Sequence, residues 1–245
     1  MIDVPGTYRA AFFADMGDIK PSVETIPALL EMFRDKELLP TTFHEVRVPV
    51  PGSRLRLRLS SANNEWNIDF DSDRITFQKT AVQPRGANMG TAEDFVVQIV
   101  DFCGRILKRY PRLGTRLSLV TEGLMSELEE HTLREIYLRF LRPIEFYEEN
   151  PPTEWKDVSV ARIQLDIRGK NEQINVVTRL SRLQGEFVES NGLMPFDRIE
   201  VALDINTFQG NTLARFDEAA VADFYPKALG VRQKLLEELK GRINV

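Results

Sequence analysis

Residues 54–79 read RLRLRLSSANNEWNIDFDSDRITFQK, and this stretch decides the fold class. Leu55, Leu57 and Leu59 alternate with Arg54, Arg56 and Arg58. A period of two places the leucines on one face of a sheet and the arginines on the other. Trp66, Ile68 and Phe70 alternate with Asn67, Asp69 and Asp71, and Ile75 and Phe77 alternate with Arg74, Thr76 and Gln78. Ala62-Asn63-Asn64 and Ser72-Asp73 supply turn chemistry between the runs. The stretch therefore predicts a three-stranded antiparallel meander with one apolar face. Arg54, Arg56, Arg58, Asp69 and Asp71 share its polar face and form the candidate binding set. Two readings of the arginine row compete: a phosphate-binding stripe, or a solvated face neutralised by the neighbouring aspartates. The second is the stronger, because the acids follow directly in sequence.

Downstream, the loop QPRGANMG leads to Thr91, an N-cap candidate with Asp94 three residues on. The apolar spacing of Phe95, Val96, Ile99, Val100, Phe102, Cys103, Ile106 and Leu107 predicts a core helix over 92–109, stopped by Pro111. Upstream, Ala10 to Phe13 reads as a first strand or a docked arm. A helix begins near Ser22 or Thr25 with Pro27 in its first turn, and a strand over 43–48 ends in Pro49-Val50-Pro51-Gly52.

The second part of the chain repeats the theme. A short strand at 115–120 and a helix at 126–141 precede an acidic, proline-containing segment at 145–155, EFYEENPPTEW, which marks a boundary. Ile163, Leu165 and Ile167 alternate with polar residues up to a turn at Gly169-Lys170-Asn171, and a return strand covers 173–183. Ile199, Val201, Leu203 and Ile205 give a third strand. A closing helix at 217–242 contains Pro226 and Gly230, where a break or kink is expected. The expectation is an α+β protein of two pseudo-repeated halves, each an antiparallel β-meander followed by a packed helix. The meander-to-helix units lie at 43–109 and 158–242, and the domains at 1–145 and 156–245. A single curved sheet gripping the last helix is the alternative.

With 245 residues, 42% of them hydrophobic, the chain can bury a substantial core. Its formal net charge of −5 does not favour nucleic acid as a partner. One cysteine, Cys103, excludes an intramolecular disulfide and a thiolate cluster, and sits on the apolar stripe of the 92–109 helix. A cytoplasmic location follows from cysteine usage, from a start without signal-peptide character and from the lack of an apolar run long enough to span a membrane.

The chemistry is sparse. His44 and His131 do not make a metal site by spacing, although Glu127 and Glu135 flank His131 at helical intervals. Neither a phosphate loop nor a nucleophile elbow is present. The carboxylate pairs Asp69 with Asp71 and Asp166 with Asp204 share sheet faces, which is weak ground for acid–base catalysis. A sheet–helix pocket near Phe224 and Tyr225 is the alternative ligand site. No catalytic residue, metal or cofactor is assigned, and the sequence argues against an enzyme without excluding one.

The string WNIDFDSDRITFQKT, the segment YPRLGTRLSLV and the strand DRIEVALDINTF before a closing helix resemble a sporadically distributed family of uncharacterised prokaryotic proteins. The matching positions are Trp66, Asp73-Arg74-Ile75, Arg112-Leu113-Gly114, Arg116-Leu117 and Leu203-Asp204-Ile205, with a departure at Leu119-Val120-Thr121. The resemblance covers about residues 41–240. It implies an accessory role in stress or phage defence and carries no activity over. The expected function is thus that of a non-enzymatic accessory or interaction protein, binding a protein partner or self-associating. A small-molecule or nucleotide sensor is the alternative.

Overall fold

The computed structural model describes residues 2–46, 53–189 and 192–243. It is an α+β fold built on one nine-stranded antiparallel sheet. In chain order the elements are β1 (Ile2–Phe13), α1 (Thr25–Met32), β2 (Leu39–Val46), β3 (Ser53–Ser60), β4 (Trp66–Phe70), β5 (Arg74–Thr80), α2 (Ala92–Arg109), β6 (Arg116–Met125), α3 (Glu130–Leu141), α4 (Glu145–Glu149), β7 (Trp155–Ile167), β8 (Lys170–Glu189), β9 (Gly192–Thr207) and α5 (Glu218–Ile243). Across the sheet the order is β2-β3-β4-β5-β1-β6-β9-β8-β7.

The meander predicted from 54–79 is β3-β4-β5, and its alternation sets which face is covered. Leu57, Leu59, Ile68, Phe70, Ile75 and Phe77 are fully buried on one face. Tyr8, Ala10 and Phe12 of β1, Leu117 and Leu119 of β6, Ile199 to Ile205 at every second position of β9, and Ile174, Val176 and Leu180 of β8 continue that face. Against it lie α1, α2, α3 and α5, whose buried residues join these strands in the hydrophobic core.

The helix α2 occupies the predicted 92–109, and its capping box is formed: Asp94 N donates to Thr91 Oγ1 at 3.0 Å and Thr91 N to Asp94 Oδ2 at 3.1 Å. It buries Ile99, Phe102, Cys103 and Ile106, and Phe95 stacks on Trp66 with centroids 5.5 Å apart. On its other flank lies α5, which is continuous through Pro226 and Gly230, so the helix does not break there. Tyr225 is fully buried, and its hydroxyl donates to Ala11 O at 3.1 Å, tying α5 to the centre of the sheet.

Several boundaries differ from expectation. The residues 10–13 are the end of a twelve-residue central strand, β1. That strand and β6 pair with each other in mid-sheet, so the units placed at 43–109 and 158–242 leave out the two strands that join the sheet together. The helix expected from 126 begins at Glu130. The boundary segment 145–155 carries α4, and Arg134 of α3 reaches Glu148 O at 3.1 Å. The second turn is Arg168-Gly169, with Lys170 and Asn171 already in β8. The turn at 49–52 and the end of the strand read over 43–48 lie outside the described residues. Trp155 to Ile205 form one sheet with the first meander, which is the single-sheet arrangement.

Candidate functional site: the helix-free sheet face

Every second strand residue points away from the helices. Register assembles these residues into rows. One row runs Ser60, Asn67, Gln78, Arg9, Val120, Asp204, Val177 and Val160 from β3 to β7. The next runs Arg58, Asp69, Thr76, Ala11, Ser118, Asn206, Asn175 and Arg162. Ala11, Val120 and Ala202 are buried yet belong to neither hydrophobic cluster under the helices. They form a floor of small side chains on the central strands, walled by longer neighbours such as Arg9, Gln78, Arg116 and Arg179.

One end of the face interleaves cations with aromatic rings. The Arg58 guanidinium lies 5.1 Å from the Phe43 ring, and Arg162 lies 4.9 Å from Phe208. Phe13 is flanked by Arg74 at 5.5 Å and Arg116 at 4.9 Å. Such contacts fix the arginine planes, and Arg58 and Arg74 direct N–H groups from theirs to Asp69 and Asp71. At the other end, burial and the neighbouring Glu122 raise the Glu200 carboxyl above the ordinary range, against the pull of Arg179 and Lys156. Arg116 Nε and Arg179 Nε are buried, with no hydrogen-bond partner among the described residues.

The five candidate residues divide. Arg56 is buried, donating to Phe70 O at 2.8 Å, Met16 O at 2.7 Å and Asp71 O at 2.9 Å; it holds the loop before α1 to the meander. Arg58 and Asp69 form a two-pronged ion pair, with bonds of 2.5 and 2.7 Å. Asp71 lies 3.2 Å from Arg74; burial and the carboxylates Asp69 and Glu45 nonetheless hold it above the usual range. Arg54 is exposed at the edge of the set, opposite Glu45 in register. The row is thus largely occupied by partners within the chain.

The other sequence candidates do not converge. Asp166 closes the β7–β8 turn, whereas Asp204 lies at mid-sheet beside Asn206, which donates to it at 2.9 Å. Phe224 and Tyr225 are fully buried core residues packed in the main hydrophobic cluster with the sheet. Cys103 is buried, and burial pushes its thiol up, out of reach of a reactive thiolate. His131 is exposed, and among the described residues no group of three or more His, Cys, Asp or Glu is arranged to hold a metal ion. Among them, too, no helix is long and apolar enough to cross a membrane.

Sequence reasoning missed Arg9, Phe13, Arg116 and Arg179. The only signal was the two-faced pattern of TYRAAFF, where Tyr8, Ala10 and Phe12 alternate with Arg9, Ala11 and Phe13. Comparison of the chain with family models, with curated proteins and with solved structures finds no match.

Proposed function

We propose that the chain is a non-enzymatic interaction protein whose partner, a protein or a second copy, docks on the helix-free face. The observation that supports this reading is the floor of Ala11, Ser118, Val120, Ala202 and Asn206, buried without a helix above it and rimmed by Arg9, Arg116 and Arg179. A face nine strands wide that sets an apolar floor beside the exposed Arg9 and the half-buried Arg116 and Arg179 offers a partner both apolar contact and charge-assisted hydrogen bonds. An accessory role in prokaryotic stress or phage defence is the context that the family resemblance adds.

The strand order also supports a duplicated origin, with bounds moved outward from the meanders. A central strand, a helical crossover to the sheet edge, a meander back and a closing helix occur as β1-α1-β2-β3-β4-β5-α2 and again as β6-α3-α4-β7-β8-β9-α5. On this reading the trough lies over the seam between the halves.

A photo-crosslinking amino acid at Gln78, on the trough wall, should capture a defined adduct in cells. The same group at Val97, 70% exposed on α2, should not. Equal labelling from both positions, or none from Gln78, would count against the face as the docking surface.

The sensor reading rests on a different observation. A cavity of about 290 Å³ opens between the sheet and α3 and α5, lined by Phe140, Asp157, Thr178, Leu235 and Arg242. Its size is at the lower limit of small-molecule sites. A nucleotide that raises the melting temperature of the native chain but not of Arg242→Ala would favour it over the interaction reading.

A further inference from the structure

The two outer strands of the sheet are built differently. The edge strand β2 has eight residues and carries Pro40, His44 and Glu45, the devices that blunt an edge. The opposite edge, β7, has thirteen residues and pairs with β8 in unbroken register. Its centre is Val158-Ser159-Val160-Ala161, uncharged and exposed, with Val158 at 50% and Val160 at 64%. A long, regular, apolar edge of this kind is a template for strand addition.

We propose that two copies of this chain pair β7 to β7, antiparallel, about a two-fold axis at Ala161, so that one sheet runs through both. The proposal specifies the self-association that the interaction reading allows, and it stands or falls apart from any partner on the open face.

The phase of the edge follows from the β7–β8 turn. Arg168 and Gly169 have φ of 52° and 75°, a two-residue turn of the primed type. The closing pair Ile167–Lys170 is then hydrogen-bonded, so odd-numbered residues of β7 bond to β8. Even-numbered residues direct their N–H and C=O outward. Asp166 O fits this phase: it accepts from Lys227 Nζ at 2.7 Å.

Outward groups must meet outward groups, so only registers that place even residues opposite even ones are open. With the dyad at Ala161, Trp155 meets Ile167 of the partner subunit, and the full thirteen-residue length overlaps. The same register sets Lys156 opposite Asp166 of the partner subunit at both ends. The alternatives lose this. A dyad at Val160 puts Lys156 opposite Gln164; at Ser159, opposite Arg162, a like-charge clash; at Arg162, the two arginines face each other. Greatest overlap and opposed charge thus coincide in one register. Asp166 Oδ1 accepts from Gly169 N at 3.2 Å and lies 3.5 Å from Lys227 Nζ, but the side chain is 62% exposed, so Lys156 of the partner subunit would share this carboxylate with Lys227. The paired edge would be about 44 Å long and add about a dozen backbone hydrogen bonds. Val160, which neighbours Val177 of its own chain, would then lie opposite Arg162 of the partner subunit and diagonal to the partner's Val160 across the axis.

Sedimentation of the full chain should give twice the 28.1 kDa monomer mass. Val160→Lys places a cation opposite Arg162 of the partner subunit; it should return the mass to monomer while keeping the native circular dichroism and a cooperative melt, lowered only by the lost association, because Val160 is exposed in the single chain. Under mild oxidation Ala161→Cys should form a disulfide dimer and Ser159→Cys should not, since a cysteine meets its own copy only at the dyad; buried Cys103 stays silent. Lys156→Glu and Asp166→Lys, each weakened alone, should restore the dimer when mixed. A chain that is monomeric at all soluble concentrations overturns the proposal. So does a dimer that survives Val160→Lys and leaves Ala161→Cys unlinked.

Discussion

Glu200 and Arg56 show how an outward strand position acquires a cost or a role. Arg56 reads in sequence as one of three equivalent arginines, but its three backbone acceptors make it a clamp. Nothing local distinguishes it from Arg58, because the distinction comes from Met16, forty residues away in the chain. Glu200 sits on the opposite half of the face, where burial and Glu122 raise its carboxyl. Well below the ordinary value of 4.5, folded and unfolded chains both hold the proton, and the residue is neutral to stability. As pH rises past that value the unfolded chain ionises first and binds fewer protons, so stability falls until the folded carboxyl ionises as well. Glu200→Gln removes this loss. The melting-temperature gain of the variant over the parent should therefore be larger at pH 7 than at pH 4; an equal or reversed difference would show that the folded environment does not disfavour the carboxylate.

At the scale of elements, legibility depended on whether one face or both were buried. The β3-β4-β5 meander and α2 each have one apolar and one polar side, so their periods of two and 3.6 were plain in sequence. The central strands were not. In β1 the small Ala10 and Ala11 are both buried, one under the helices and one on the trough floor, which erases the alternation. In β6, Leu119, Val120 and Thr121 are consecutively buried for the same reason. The extended ends of β8 and β9 were missed because Gln184–Asp197 and Phe187–Met194 pair beyond the covered core, where no hydrophobic pattern is required. The cap of α2 was legible because it is wholly local. Thr91→Ala removes the acceptor for Asp94 N and should cost about 1 kcal/mol in denaturant unfolding, with the native spectrum retained. A loss near zero would mean that the tertiary packing of Phe95 and Ile99 fixes the helix start without its cap.

The whole molecule raises the question of whether the chain can be cut at 145–155. Composition there resembles a linker, and α4 has no buried residue. The core runs otherwise. Phe224, Tyr225 and Ala228 of α5 belong to the same cluster as Leu57, Phe70 and Phe77 of the first meander. Gly114 N donates to Phe216 O at 2.7 Å, joining the approach to β6 with the approach to α5. A fragment of residues 1–145 would keep α2 but lose α5 from its flank, and it would leave β6 without β9 as a bare edge. Three fully buried side chains of α5 alone, Phe224, Tyr225 and Ala228, would be missing from the contacts of α2 and β1. Core truncations of a single large residue cost about 2–5 kcal/mol, and a domain's net stability is about 5–15 kcal/mol. The deficit is therefore comparable with the whole. The fragment should lack a cooperative thermal transition and dispersed amide resonances, and adding residues 156–245 in trans should restore both. A fragment that melts cooperatively on its own would show that the first meander, α1 and α2 carry enough core without α5, and the chain would then be two domains sharing a sheet.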